Sequence, residues 1–249
     1  MLPMPQRLAA QLERRRPERP VYAMAGPGSS LLDYAERVRF ASEKLAIRDF
    51  VIVVERGDVA QSVCGSGNVH AACLDATTLS PRTERIVGDE RWLTNLLRKS
   101  ALAQYLFSQL RVNVQDLKAR AKQLFERRKV PVIRSVVPGE EERRADAVIG
   151  TFFQRLEPYK DRNFTFVLGC DLNALTVDSK AAPDVARTRL IAAAHAWGAR
   201  VVDTEPIFRT HVLRNGLALG VSPRDAHWNP LAIGLVAEAA VAAESPAGR

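Results

Sequence analysis

Runs of hydrophobic residues alternate with amphipathic segments along most of this chain. The clearest run, DFVIVVERGD at residues 49–58, is β-branched throughout its centre and is closed by Gly57, which is typical of a buried strand. Shorter hydrophobic runs predict further strands at residues 22–25, 163–171 and 199–208.

Segments with helical periodicity separate these strands, at residues 31–46, 144–159 and 183–198. The last of them has Pro183 in its first turn and stops at Gly198, which are common positions for these residues. Strands that alternate with helices predict an α/β fold with a doubly wound, largely parallel sheet. In such sheets a ligand crevice lies at the carboxyl ends of the strands, so the residues that follow each strand are the candidates for function.

We expect a single domain over residues 1–249, with a loop and helical excursion at about residues 59–160. Within the excursion, residues 91–114 and 116–129 predict two helices. The stretch VPVIRSVVPG at residues 130–139 fits either an edge strand or an extended part of the excursion, and the sequence does not decide between them.

The chain carries 36 Lys and Arg against 28 Asp and Glu, a net charge of +8 that raises the question of a nucleic-acid partner. This excess is spread over segments in which acidic and basic residues alternate, and no RNP, helix-turn-helix or zinc-finger pattern accompanies it. We therefore expect no nucleic acid among its partners. No apolar run has the length of a membrane span, and the first residues lack the apolar core of a signal peptide, so we expect no membrane span either.

Cys64 and Cys73 bracket the small polar stretch CGSGNVHAAC, a loop that a disulfide could close. Such a bridge implies an oxidising compartment and favours a periplasmic or cell-envelope location, which the sequence otherwise leaves open. His70 lies in the same loop, but three potential ligands without a Cys-x-x-Cys pair do not predict zinc, and we expect no metal or cofactor. Cys170 directly follows an apolar run and is expected to pack in the core.

The stretch RDAHWNPLAIG at residues 224–234 places Asp225 two residues before His227, at the start of an Ala-rich segment typical of a closing helix. An aspartate in this position can orient a histidine that acts as general base and can stabilise its protonated form. The alternative is a solvated loop pair in which Asp225 serves only the electrostatics of the helix terminus.

Taken in order, the residues that follow the predicted strands resemble the SGNH or GDSL-type hydrolases, a family of esterases and acetylhydrolases on a flavodoxin-like sheet. Residues 21–38 resemble the block whose glycine amide helps to form the oxyanion hole, with Gly28 at that position. Residues 49–58 stand where the family has a strand ending in Gly-x-Asn-Asp, with Asp58 as the aspartate. The sequence DAHWN at residues 225–229 matches the family's final Asp-x-His-Trp block.

The resemblance implies a three-layer, mostly parallel sheet and serine-dependent hydrolysis of O-acyl or O-acetyl esters on a small molecule or glycan. It implies that His227 is the general base and that Asp225 accepts its other ring N–H, with Gly28 and Gly57 at the oxyanion hole and Asp58 and Asn229 in supporting positions. On the residues alone, Gly28 is as readily a turn glycine, and Asp58 a residue that braces the loop.

Two features depart from the family pattern. The Gly-Asp-Ser block with the nucleophile, together with its strand, would fall before Met1, so we expect the first strand to be missing and this chain to be inactive. Gly57 replaces the asparagine that donates its side-chain amide to the oxyanion, a loss of about 3 kcal/mol of transition-state stabilisation where such donors are removed. A non-catalytic domain that binds a glycan or a protein through the same crevice is the alternative function.

Four serines near predicted strand ends are possible substitutes for the missing nucleophile. None of them lies in a Gly-x-Ser-x-Gly elbow, so we do not expect any of them to replace it. They are Ser29, Ser30, Ser62 and Ser66.

Overall fold

The computed structural model describes residues 4–26, 28–66, 72–83, 139–175, 184–222 and 225–244. These residues belong to one compact unit, which is formed by residues 1–84 and 138–249. They form a mixed α/β fold with a three-stranded parallel sheet and seven α-helices, so the predicted α/β class is confirmed. The helices predicted at residues 91–114 and 116–129, and the stretch at 130–139, lie outside the described residues.

The described strands fall into one parallel sheet and two short antiparallel pairs. In chain order the strands are β1 (Asp49–Val54), β2 (Ala72–Leu74), β3 (Pro81–Thr83), β4 (Asn163–Leu168), β5 (Arg200–Asp203), β6 (Gly220–Ser222) and β7 (Asp225–Trp228). The parallel sheet has the order β1-β4-β5, and the antiparallel pairs are β2 with β3 and β6 with β7.

Helices cover both faces of the parallel sheet. Short 3-10 turns occur at Met4–Gln6, Glu157–Tyr159 and Leu172–Leu175. In chain order the helices are α1 (Leu8–Arg15), α2 (Leu31–Lys44), α3 (Asp58–Gln61), α4 (Glu140–Leu156), α5 (Val185–Trp197), α6 (Thr204–Asn215) and α7 (Pro230–Glu244).

The hydrophobic core is divided by the sheet into two clusters. On one face, Phe166 of β4 packs among α2, α4 and α5, and its ring centroid lies 5.8 Å from that of Phe152. On the other face, Val167 of β4 packs with Leu12 of α1, Phe208 of α6 and residues of α7. Because both faces of β4 are buried, the strand is hydrophobic at four of its six positions instead of alternating strictly with polar residues.

Polar side chains at the helix N-termini explain where α2 and α6 begin. Ser30 and Asp33 form a reciprocal capping box that starts α2. Asp203 accepts a hydrogen bond from the backbone N–H of Glu205 and begins α6, so the strand predicted at residues 199–208 ends at Asp203. This shorter strand corrects the sequence prediction.

The segment at residues 22–25 is a second correction, because it is not a strand in the structure. It has no ladder partner among the described residues, and a strand is defined by such a partner. The hydrophobic pattern of the segment is therefore present without the neighbour that would make it part of a sheet.

The predicted disulfide between Cys64 and Cys73 is confirmed, with a Cα–Cα distance of 5.1 Å. Next to it, the backbone N–H of Cys64 donates to the carbonyl of Leu74 and that of Leu74 donates to the carbonyl of Ser62, each at 2.8 Å. Cys170 has a free thiol and is buried, as expected. None of the described helices is long and apolar enough to cross a membrane.

Candidate functional site

Several polar residues lie at the carboxyl edge of the parallel sheet. Glu55, Gly57 and Asp58 follow β1, and Gly169 follows β4. The backbone N–H of Gly169 donates to the carbonyl of Val54 at 2.8 Å, so the pairing continues one residue past β4. A Cβ at Gly169 would lie 2.5 Å from Oε2 of Glu55, so the missing side chain gives Glu55 room beside the end of β4.

Asp225 and His227 lie on β7, in a hairpin with β6, and not in the irregular loop that the sequence suggested. Residues two apart on a strand point to the same side, which brings their side chains together. Oδ1 of Asp225 lies 2.5 Å from Nδ1 of His227 and also accepts the backbone N–H of His227 at 3.1 Å. The His227 side chain is 91% exposed and that of Asp225 only 28%. The carboxylate of Asp225 therefore contacts Nδ1 of the ring, while most of the imidazole is open to solvent.

Glu55 is a titratable residue that sequence reasoning did not single out. Loss of hydration around its carboxyl raises the pKa of Glu55 to about 7, the charge of Asp58 raises this pKa too, and that of His227 lowers it. By surface area the Glu55 residue is nevertheless exposed, so its proton exchanges directly with solvent.

Asp58 is buried and braces the turn after β1. Its Oδ2 accepts the backbone N–H of Glu55 and the hydroxyl of Tyr34, each at 2.8 Å. The guanidinium of Arg37 lies 5.9 Å from the centre of the Tyr34 ring and donates to Oγ of Ser29 at 2.6 Å. These contacts connect the loop after β1 to the loop before α2, so the two loops that carry Gly57 and Gly28 are held at the same edge.

The two glycines assigned to the oxyanion hole differ in their backbone conformation. Gly28 has a φ of 72°, a left-handed conformation that favours glycine and that a simple turn also explains. Gly57 has a φ of −85° and precedes α3, so its conformation does not require glycine. A side chain at position 57 would instead meet the end of Gln61, with a Cβ 2.8 Å from its Nε2.

Asn229 has a structural role that is visible in its hydrogen bonds. Its Oδ1 accepts the backbone N–H of Ala232 at 3.0 Å in the first turn of α7, as helix-capping residues do. Its Nδ2 donates to the carbonyls of Ala218 at 2.8 Å and Gly220 at 3.3 Å. Asn229 therefore fixes the hairpin that carries Asp225 and His227 to the start of α7.

The four serines near the strand ends are engaged in local hydrogen bonds. Oγ of Ser29 donates to the carbonyl of Gly26 at 2.5 Å, and that of Ser30 to Oδ2 of Asp33 at 3.0 Å. The remaining two hydroxyls, those of Ser62 and Ser66, donate at 2.9 Å to the carbonyls of Asp58 and Gln61. In the part of the chain that the structure describes, no serine or cysteine side chain forms a hydrogen bond with the ring of His227.

Ion pairs occupy the edge around β4 and β5. Arg56 pairs with Asp171 at 2.6 Å and with Asp184 at 3.4 Å. Arg187 pairs with Asp203, and its Nε donates to the carbonyl of Gly169 at 2.9 Å. These bonds hold the backbone on either side of Glu55, through Arg56 next to it and Gly169 at the end of β4.

The site therefore contains an oriented imidazole and a carboxyl that titrates near neutral pH, both suited to proton transfer. The Asp225/His227 pair was identifiable from the sequence because its spacing is a motif. Glu55 gave no such signal, because its raised pKa depends on the three-dimensional surroundings.

Comparison with known proteins gives no further assignment, since no family model, no curated protein and no solved structure matches this chain.

Proposed function

We propose that this chain is the base-bearing part of a serine ester hydrolase of SGNH type, which acts on O-acyl or O-acetyl esters. The observation that carries the proposal is the contact of 2.5 Å between Asp225 and the ring of His227, which is exposed beside the carboxyl edge of a parallel sheet. A proton acceptor held in one orientation at this edge is what acyl transfer by a serine requires.

In the proposed reaction, Asp225 accepts the Nδ1–H of His227 and leaves the lone pair on Nε2 directed outward. Nε2 takes the proton of a serine hydroxyl as that oxygen attacks the ester carbonyl, and the carboxylate stabilises the imidazolium that forms. The same proton then passes to the leaving alcohol. Water hydrolyses the acyl-enzyme in a second cycle with His227 again as base.

The proposed sheet has the flavodoxin-like order 2-1-3-4-5, in which β1, β4 and β5 are the last three strands. The parallel direction of the three observed strands and the helices on both faces support this order. In this proposal none of the described residues is assigned as the attacking serine.

A non-catalytic domain that binds a glycan or a protein through the same edge is the second candidate. Two observations favour it: Gly57 offers no side-chain amide, and no described hydroxyl is bonded to His227. In that case His227 would donate a hydrogen bond to the ligand, and its role would be binding.

Hydrolysis of p-nitrophenyl acetate and butyrate separates the two candidates. For this assay a strand of about five apolar residues followed by Gly-Asp-Ser is added before Met1, and the control carries Gly-Asp-Ala in the same place. The proposal predicts a burst of nitrophenol only with serine, lost in His227→Ala and retained in the control variant His195→Ala, whose histidine is on α5. Equal rates for the serine and alanine forms, both folded by circular dichroism, would favour the binding function.

A further inference from the structure

The carboxyl of Glu55 differs from the other acidic side chains around the carboxyl edge of the parallel sheet. Within the described ranges it has neither a hydrogen bond nor an ion pair, and only the backbone N–H of Glu55 is bonded, to Asp58. The next residue, Arg56, pairs with Asp171 and Asp184 instead. The carboxylates around this edge that do have a guanidinium, an imidazole or other hydrogen-bond donors as partners are Asp58, Asp171, Asp184, Asp203, Glu205 and Asp225.

The Glu55 side chain lies beside the end of β4 without bonding to it. A Cβ at Gly169 would lie 2.5 Å from Oε2 of Glu55 and 3.1 Å from its Cδ. Both backbone groups of Gly169 are already used, because its N–H donates to the carbonyl of Val54 and its carbonyl accepts Nε of Arg187. The carboxyl of Glu55 is thus held in place by contact and keeps its hydrogen-bonding capacity for a ligand.

The hairpin of β6 and β7 is anchored to the segment that follows β4. A Cβ at Gly220 on β6 would lie 3.6 Å from Cδ1 of Leu172, three residues beyond Gly169. Trp228, the last residue of β7, packs against the same hydrophobic cluster as Leu172. Glu55 and the hairpin that carries the oriented imidazole therefore border the same short stretch of backbone.

Glu55 holds its proton up to a pH at which an ordinary glutamate is ionised. Loss of hydration and the charge of Asp58 raise its pKa to about 7, against the opposing charge of His227. The guanidiniums of Arg56 and Arg187 at this edge are bound to other carboxylates. A protonated carboxyl is a hydrogen-bond donor, so below about pH 7 the edge carries an O–H without an acceptor among the described residues.

We propose that the carboxyl of Glu55 binds the carbonyl oxygen of an acyl group as a hydrogen-bond donor, and supplies the side-chain donor that Gly57 lacks. The kind of group bound rests on the proposed function, since the acyl carbonyl is the part of an ester that is attacked with His227 as base. A neutral carboxyl at such an edge donates to a carbonyl and more strongly to the oxyanion that forms from it. Ionised Glu55 has no proton to donate and repels the same oxygen.

The test measures binding of p-nitroacetanilide, the amide analogue of p-nitrophenyl acetate, to the full chain without any added residues. Its carbonyl is labelled with ¹³C, and the change in its NMR shift is followed as protein is added, at about pH 5 and about pH 8. The amide is not cleaved, so the result does not depend on whether His227 activates a serine. Failure of this inference and failure of the proposed hydrolysis are therefore distinguishable.

Three variants separate the donor from the charge of Glu55. Glu55→Gln keeps a donor at every pH, Glu55→Ala removes it, and Glu13→Gln on α1 is the matched control. His227 also titrates in this range, but an effect of its charge would appear in Glu55→Gln and Glu55→Ala as well. Thermal unfolding of each variant verifies that a loss of binding is not a loss of fold.

We expect saturable binding to the unaltered chain that is about tenfold weaker at about pH 8, where roughly a tenth of Glu55 is still protonated. Glu55→Gln should bind the probe equally at both pH values, Glu55→Ala should bind it at neither, and Glu13→Gln should follow the unaltered chain. No saturable binding at about pH 5, binding that does not weaken at about pH 8, or binding that Glu55→Ala retains would each overturn the proposal.

Discussion

One oxygen of Asp225, Oδ1, contacts both Nδ1 of His227 at 2.5 Å and the backbone N–H of the same residue at 3.1 Å. The double contact fixes the side chain and the backbone of His227 to one carboxylate. It also selects a tautomer, because Nδ1 must carry the proton to donate to Asp225. The proposed role of His227 as a base depends on this choice.

The tautomer of His227 is the first prediction. In protein labelled with ¹⁵N-histidine, at a pH where the ring is neutral, NMR should show the proton of His227 on Nδ1. In Asp225→Ala the ring loses its acceptor, and the proton should move largely to Nε2. The control Asp161→Ala removes a carboxylate that pairs with Arg48 and should leave the His227 signals unchanged. A proton on Nε2 in the unaltered chain would contradict this orientation.

The raised pKa of Glu55 predicts a dependence of stability on pH. Its pKa is about 7 in the folded chain against an ordinary 4.5, so folding favours the protonated form. This contribution is complete below about pH 4.5 and is lost as the pH rises through about 7. Relative to Glu55→Gln, the unaltered chain should therefore lose stability in urea unfolding between pH 5 and pH 8.

His227 offers a separate check on this pH dependence, since its charge lowers the pKa of Glu55. In His227→Ala the loss of stability should shift to higher pH. Glu13→Gln on α1 serves as the control and should follow the unaltered chain. If the unfolding free energies of the unaltered chain and Glu55→Gln changed with pH in the same way, the raised pKa of Glu55 would be contradicted.

The disulfide is predicted to stabilise the fold measurably. It closes a loop with a sequence separation of 9, and a loop of that size corresponds to about 2–3 kcal/mol in the unfolded-chain model. The double variant Cys64→Ser, Cys73→Ser should lose about this amount of unfolding free energy in urea. Addition of a reductant should lower the stability of the unaltered chain but not that of the variant, and equal stabilities in the absence of reductant would contradict the prediction.

Asn229→Ala should lower the unfolding free energy by about 1 kcal/mol or more, because the residue caps α7 and also bonds two carbonyls beside β6. Asn215→Ala is the matched control, since Asn215 lies at the exposed end of α6 and bonds only the ring of His211 among the described residues. If Asn229→Ala lowered the unfolding free energy no more than Asn215→Ala, Asn229 would not be holding the hairpin to α7.

Local chemistry made much of the fold predictable. The hydrophobic runs located β1 and β4, and Gly198 marked the end of α5, where its φ is 89°. The extent of β5 was overestimated, because the capping contact of Asp203 outweighs the hydrophobic pattern that continues beyond it. Residues 22–25 were predicted wrongly for a different reason. A strand needs a second strand to pair with, and a local hydrophobic pattern does not reveal whether one is present.

The candidate site was predictable to a smaller extent. Asp225 and His227 are close in sequence, so their pairing follows from the two-residue repeat of a strand. Glu55 became visible only with the fold, because its local hydration and the charges of Asp58 and His227 determine its pKa. Such properties arise from residues far apart in the chain and leave no local pattern.

Covalent labelling by a fluorophosphonate tests most directly whether His227 can activate a serine at this edge. The chain preceded by an apolar strand and Gly-Asp-Ser should be labelled on that serine, as mass spectrometry of the digest would show. Labelling should fall by about a hundredfold or more in His227→Ala, because the serine loses its general base, and should be unchanged in His195→Ala. Labelling at equal rates with and without His227, in chains that unfold at the same temperature, would contradict its proposed role as the base.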